Sequence, residues 1–212
     1  MGSTAHSGFQ LQTNWRQSMT LLGLLMGAVA ALSYGMARGA VAANYAVSGA
    51  PFKVVVGEAK LDGMVAYPDT AMDSGEKRHP VLLAGMGTVQ ARDVCMSMST
   101  PTPFGTVGFR LNAGADGKSL TLRNTVADTT AVADGAGTLT NAQIGRDASE
   151  FDNGVTGPDG RPVQGPKGRS GVQVGGGSVK NLKASALTGT AGSLSFNSAK
   201  IDVGFTDVKE CY

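Results

Sequence analysis

Hydrophobic and polar positions divide the chain into two regimes. From Ser18 to Ala37 the residues are almost uncharged and strongly apolar, with no polar face. Past residue 43 the pattern becomes a series of short alternations. Val107, Phe109 and Leu111 alternate with Thr106, Gly108 and Arg110. Leu120 and Leu122 repeat the spacing, as do Leu194 and Phe196, and then Ile201, Val203 and Phe205. A period of two predicts strands that place these side chains on a core face. Asp62-Gly63, Asp116-Gly117 and Asp134-Gly135 predict tight hairpins, where a left-handed backbone is needed. One helical turn is expected around Arg146–Phe151. The pattern predicts a mainly β fold: a single antiparallel-rich sandwich, open barrel or half-barrel after an N-terminal hydrophobic helix. A β-solenoid is the alternative, because Val172–Leu182 and Leu194–Val203 look loosely alike, although no fixed period relates them.

The N-terminal run carries the marks of export. Arg16 precedes it, and Ala40-Val41-Ala42 supplies small residues at a cleavage point before Ala43. Residues 1–42 are therefore expected to be a signal peptide, or else an uncleaved membrane anchor formed by Ser18–Ala37. The run lies between the two lengths: signal cores span about 7–15 residues and a bilayer needs about 20. In either case residues 43–212 are expected outside the cytoplasm, as one domain in an extracellular or envelope setting.

Charge narrows the partners. Arg16 and Arg38 account for the whole formal excess of +2, so the 43–212 segment is formally neutral. A neutral domain without a clustered basic face has no electrostatic case for nucleic acid, and it offers no polybasic patch to anionic lipid. Aromatic residues are few and glycine is abundant (31 residues), so small and β-branched side chains must fill much of the interior. Two cysteines, Cys95 and Cys211, remain. In an oxidising compartment an isolated pair most simply forms one disulfide, tying the C-terminal end to mid-chain. The alternatives are two buried thiols or a metal site, and two cysteines at this spacing with one histidine do not assemble a zinc site.

The stretch from Asp152 to Gly177 stands apart. Gly154, Gly157 and Gly160, then Gly165, Gly168 and Gly171, give a short collagen-like trace that breaks between Gly160 and Gly165. A triple helix needs uninterrupted triplets, so the segment is expected to be a flexible Gly/Pro loop. A loop of this length in a compact domain is either a binding element or disordered.

Candidate chemistry is sparse. His6 lies ahead of the apolar run, which leaves His79 as the histidine of the 43–212 segment, in Glu76-Lys77-Arg78-His79-Pro80. His79 is the weak candidate for a general base; the plainer reading is an exposed loop histidine. No G-x-S-x-G elbow is present, and Gly168-Arg169-Ser170-Gly171 and Gly177-Ser178-Val179 depart from it. Asp147, Glu150 and Asp152 gather oxygen ligands of the kind calcium takes, but their spacing is not that of the calcium loop. The plainer reading is a solvated turn capped by Asp147 or Asp152. No cofactor is implied.

Several segments resemble a family of exported actinobacterial proteins of unknown function, some members of which are labelled cholesterol esterase. They are Ala43-Asn44-Tyr45-Ala46-Val47-Ser48-Gly49, Pro51-Phe52-Lys53-Val54, Pro101-Thr102-Pro103-Phe104-Gly105, Ile144-Gly145-Arg146-Asp147-Ala148 and Glu210-Cys211. The resemblance implies an exported domain and, for members so labelled, hydrolysis of sterol esters. It carries no catalytic residue onto a position of this sequence. The function expected is an exported envelope protein that is non-catalytic and binds lipid or an envelope partner, or is structural. The alternative is a lipid or sterol ester hydrolase with His79 as base and an unidentified serine. A third reading is a self-assembling scaffold that uses strand edges or the Gly/Pro loop. The oligomeric state is left open.

Overall fold

A computed structural model describes residues 50–205 and 208–212. The chain divides into Met1–Asn44 and Tyr45–Tyr212, and the description concerns the second unit. The expected signal peptide or anchor at 1–42 therefore lies outside the described residues.

The fold is mainly β, a seven-stranded antiparallel sheet. The strands are β1 (Phe52–Met72), β2 (Arg78–Thr102), β3 (Gly105–Ala113), β4 (Leu120–Thr140), β5 (Gln143–Asp147), β6 (Ser170–Phe196) and β7 (Ala199–Phe205). Among the described residues a single 3-10 turn, Ala148–Glu150, meets the expected helical turn. The antiparallel pairing excludes the solenoid. Strand order is β1-β6-β4-β2-β3-β7, and β1 also pairs with β2. The four longest strands thus make a circuit of ladders. Following partners from Gly177 to Leu61, Val89 and Leu122 leads back to β6 at Leu194, further along the same strand. The circuit is a spiral. β3 and β7 extend it on one flank as an open sheet.

Such long strands must bend, and the bends are written in glycine and Asx residues. Gly57 on β1 lies between Asp93 on β2 and Asn181 on β6, both in the left-handed region at φ 51° and 52°. Six residues on, Gly63 (φ 73°) lies between Gly87 and Gly175, which in turn face Asn124 and Asn141, again left-handed. These rows crease the sheet. At Gly87 the contact is close enough that an added Cβ would sit 2.6 Å from the Asp62 carbonyl oxygen. A left-handed residue also rotates the strand, so the buried parity changes across a crease. On β2, Val89 and Ala91 precede Asp93, Val94 follows it, and all three join one core cluster.

The creases correct the turn reading. Asp116-Gly117 does turn the chain between β3 and β4, but Asp62-Gly63 and Asp134-Gly135 lie inside strands. Asp-Gly specifies an unusual backbone angle, and here that angle serves a bend rather than a reversal.

Two buried clusters fill the unit. The first joins Val56, Ala59, Val89, Ala91, Val94, Ala113 and Leu120 within the sheet. The second joins Val65 and Tyr67 of β1 to Ala148, Phe151 and Val155 of the loop between β5 and β6. That loop sits on a floor of glycines: Val155 covers Gly63, Val163 covers Gly85, and Phe151 covers Gly171. Larger residues at those floor positions would push the loop away. The expected flexible Gly/Pro segment is therefore a loop to Arg169 that contributes core, followed by β6 from Ser170. Its own side chains hold it. Asn153 Nδ2 donates to the carbonyls of Met64 and Val174, Gln164 Nε2 donates to Phe151 O, and Arg169 pairs with Asp69 at 2.8 Å.

Candidate functional site: an uncovered apolar sheet face

Cys95 and Cys211 are bonded, with Cα atoms 5.9 Å apart. The bond anchors a C-terminal tail that crosses the sheet. Cys211 N donates to the buried Ser97 hydroxyl, Glu210 accepts from Ser99 at 2.9 Å and pairs with Lys53, and the Tyr212 hydroxyl meets Ser185. Val208 packs over Gly108 and Gly204. Lys53 first, and Ser99 with it, holds the Glu210 carboxyl below its usual range. The tail thus covers the side of β3 and β7 that carries Gly108, Arg110 and Asn112, opposite Gly204, Asp202 and Lys200.

The other side is bare among the described residues. Residues opposite one another in an antiparallel ladder share a face. Val107, Phe109 and Leu111 stand opposite Phe205, Val203 and Ile201, and Met98 and Met96 of β2 continue the rows. This face is continuous with the first core cluster through Val94 and Ala113. Beyond the core nothing among the described residues covers it: Ile201, Val203, Phe205 and Met98 are exposed, Val203 by 67%. Leu194 and Phe196, opposite Leu122 and Leu120, are exposed as well. The alternation predicted these strands correctly, yet the core face expected for Ile201, Val203, Phe205, Leu194 and Phe196 is a correction. Period two reports which side chains share a side, not whether another layer lies over them.

The polar candidates take structural places. His79 lies near the start of β2 and is partly buried rather than fully exposed. Its Nε2 is 2.8 Å from Asp73 Oδ2 in the β1–β2 turn. Asp73 also accepts from the backbone amides of Gly75 and Lys77. His79 first, then the Lys77 amide, holds its carboxyl below the usual range. No serine hydroxyl bonds to His79 among the described residues. Ser170 and Ser178 both lie in β6, a strand, whereas an elbow needs a strand-to-helix turn. Sequence reading missed Asp73; the Asp73-Ser74-Gly75 turn ahead of the histidine was the available signal.

The three acidic candidates do not converge. Asp147 caps the 3-10 turn, accepting from the Ser149 amide and hydroxyl, and its second oxygen takes the Gly168 amide at 2.7 Å. The amides of Ser149 and Gly168 lower its pKa. Asp152 accepts from Gln173 Nε2 at 2.8 Å and pairs with Arg146 at 2.8 Å, and these two, in that order, lower its own. Glu150 is exposed. No group of acidic, histidine or cysteine side chains able to hold a metal ion is found among the described residues. A polar cleft of about 100 Å³ is lined by Glu58, Lys60, Gln90, Arg92 and Ser119. Small-molecule sites usually enclose about 300–1,000 Å³ of mostly apolar space, so this cleft does not hold a sterol ester. Among the described residues no helix is long and apolar enough to cross a membrane.

The sequence model of the DUF6230 family matches residues 48–212. The chain belongs to this family of unknown function. No curated protein and no solved structure matches it. DUF6230 membership thus covers every described strand, the disulfide and the bare face, and assigns a role to none of them.

Proposed function

We propose that this protein is an exported, non-catalytic component of the cell envelope that binds lipid through the bare face of β2, β3 and β7. The observation that carries the reading is the row of exposed Ile201, Val203 and Phe205 beside half-buried Phe109 and Leu111, on a side of the sheet that no described segment covers. Exposed apolar patches of this kind mark interaction sites. Lipid is the occupant favoured because the apolar run at Ser18–Ala37 delivers the domain beside a bilayer, and because the surface is open rather than pocketed. The neutrality of residues 43–212 makes such binding indifferent to headgroup charge. Such a placement accords with the resemblance to exported actinobacterial proteins. The test is co-sedimentation with phosphatidylcholine vesicles of protein isolated from cells expressing the full chain. Wild type is expected to sediment with vesicles at low and high salt, and Val203→Ser/Phe205→Ser to stay in solution. Equal partition of the two proteins overturns the assignment.

A second reading, sterol or lipid ester hydrolysis, draws on one observation: Asp73 holds His79 as the third group of a triad holds its base. Acyl-ester turnover that is lost in His79→Ala, together with labelling of a serine by a fluorophosphonate, would establish it.

A further inference from the structure

β7 ends the strand order, so one side of its backbone is unpaired among the described residues. Edges of this kind are normally blunted by bulges, proline or unmatched charge. β7 has none of these. Its ladder to β3 runs from Ala199 to Phe205 without a register shift, and it contains no proline. It does carry Lys200, the residue type that most often guards an edge, but Asp202 stands beside it, 3.2 Å from the ammonium group.

That pair makes the strand complementary to itself. We propose that two copies of this chain pair through β7, antiparallel about a two-fold axis at Ile201, to form one continuous sheet. In this register Ile201 meets Ile201 of the second copy. Lys200 meets Asp202, Asp202 meets Lys200, and Ala199 meets Val203. Both charges are matched on the face carrying Arg110 and Asn112, and the opposite face is wholly apolar. A two-fold centred on Asp202 sets two carboxylates directly opposite each other, and one centred on Val203 leaves Asp202 against Gly204. Opposed unlike charges stabilise a cross-strand pair and opposed like charges destabilise it, so the Ile201 register is selected. An isologous contact of this kind closes at two copies and does not propagate.

The inference deepens the preceding reading, because pairing joins two bare faces into one of twice the width. The two fail separately, since self-association is measured without lipid and vesicle binding is measured on its own. Light scattering on chromatographed protein from cells expressing the full chain is expected to give a dimer. Asp202→Lys sets two ammonium groups against each other on both sides of the axis and is expected to abolish the dimer. The exchange Lys200→Asp/Asp202→Lys restores opposite charges and is expected to restore it, which also shows that the substitutions leave the fold intact. Ile201→Cys is expected to give a disulfide-linked dimer on oxidation, and Val203→Cys is not, because Val203 faces Ala199. A monomeric wild type, a dimeric Asp202→Lys protein, an exchanged pair that stays monomeric, or equal linking by the two cysteine variants each overturns the proposal.

Discussion

The circuit of β1, β2, β4 and β6 and the flank of β3 and β7 use the same sequence grammar for opposite ends. In the circuit, Leu120, in alternation with Thr121 and Arg123, is buried in the first core cluster, and Val65 is 0% exposed beneath the loop that carries Phe151 and Val155. In the flank, Val203 stands in an equally regular alternation and is 67% exposed. The difference lies in what covers each strand. The β5–β6 loop has folded back over a glycine floor, and no described segment does so for β7. Patterning specifies a side; only topology supplies a lid.

The largest way to break this comparison is to cut the tie that crosses both regions. Cys95→Ser/Cys211→Ser opens a loop spanning a sequence separation of 116. It is expected to lower unfolding free energy by about 3–5 kcal/mol in the chain-entropy account. Denaturant titration checks this, and a loss below about 1 kcal/mol refutes it. The next test substitutes the same residue type in both regions. Val65→Ala is expected to cost roughly 1.5–3 kcal/mol from lost burial, whereas Val203→Ala should stay within about 0.5 kcal/mol. Similar costs for the two would mean that the flank is covered after all.

The creases give a third handle. Gly87→Ala drives a Cβ against the Asp62 carbonyl and is expected to cost about 1–3 kcal/mol, as overpacking does. Gly117→Ala meets no neighbour but must hold φ at 74°, so its cost should be that of backbone strain alone, roughly 1 kcal/mol. Thermal melts of the two variants separate crowding from strain.

Acid gives a graded test. Asp73, Asp147, Asp152 and Glu210 all have carboxyls held below their usual range by hydrogen bonds or ion pairs. A depressed folded pKa means that the fold prefers the charged form. The stability these groups lend is fully present above the ordinary carboxylate pKa of about 4. It is lost as pH falls through their lowered folded values. Asp147 and Asp152 brace the β5–β6 loop, so their replacement by Asn should flatten part of the acid slope. The smallest effect belongs to Thr125→Val. The Thr125 hydroxyl is buried without a partner among the described residues, and removing it should change stability by no more than about 1 kcal/mol, toward greater stability.

Much of this was readable in the residues. The β class, the disulfide and the 3-10 turn each rested on a local signal: alternation, an isolated cysteine pair, and Asp147 ahead of a short turn. The creases were half legible. Asp62-Gly63 announced a left-handed angle, but a hairpin and a mid-strand bend demand the same angle, and only the pairing of Leu61 with Val89 and Gly177 tells them apart. The bare face was not legible, because exposed Ile201 and buried Leu120 obey the same period. His79 was visible, whereas Asp73 becomes its partner only once Ala71 pairs with His79 across the hairpin.

The circuit also sets a timetable. β1 and β2 can pair as soon as both exist, yet β1 gains its second neighbour only when β6 arrives, Lys53 waiting for Ser185. A chain emerging from its N-terminal end therefore carries a young hairpin with unsatisfied margins through most of its synthesis. Straight margins of that kind would recruit neighbouring chains. The kinks at Gly57, Gly63, Gly87 and Asp93 make them poor templates, so the residues that shape the finished sheet also guard the unfinished one.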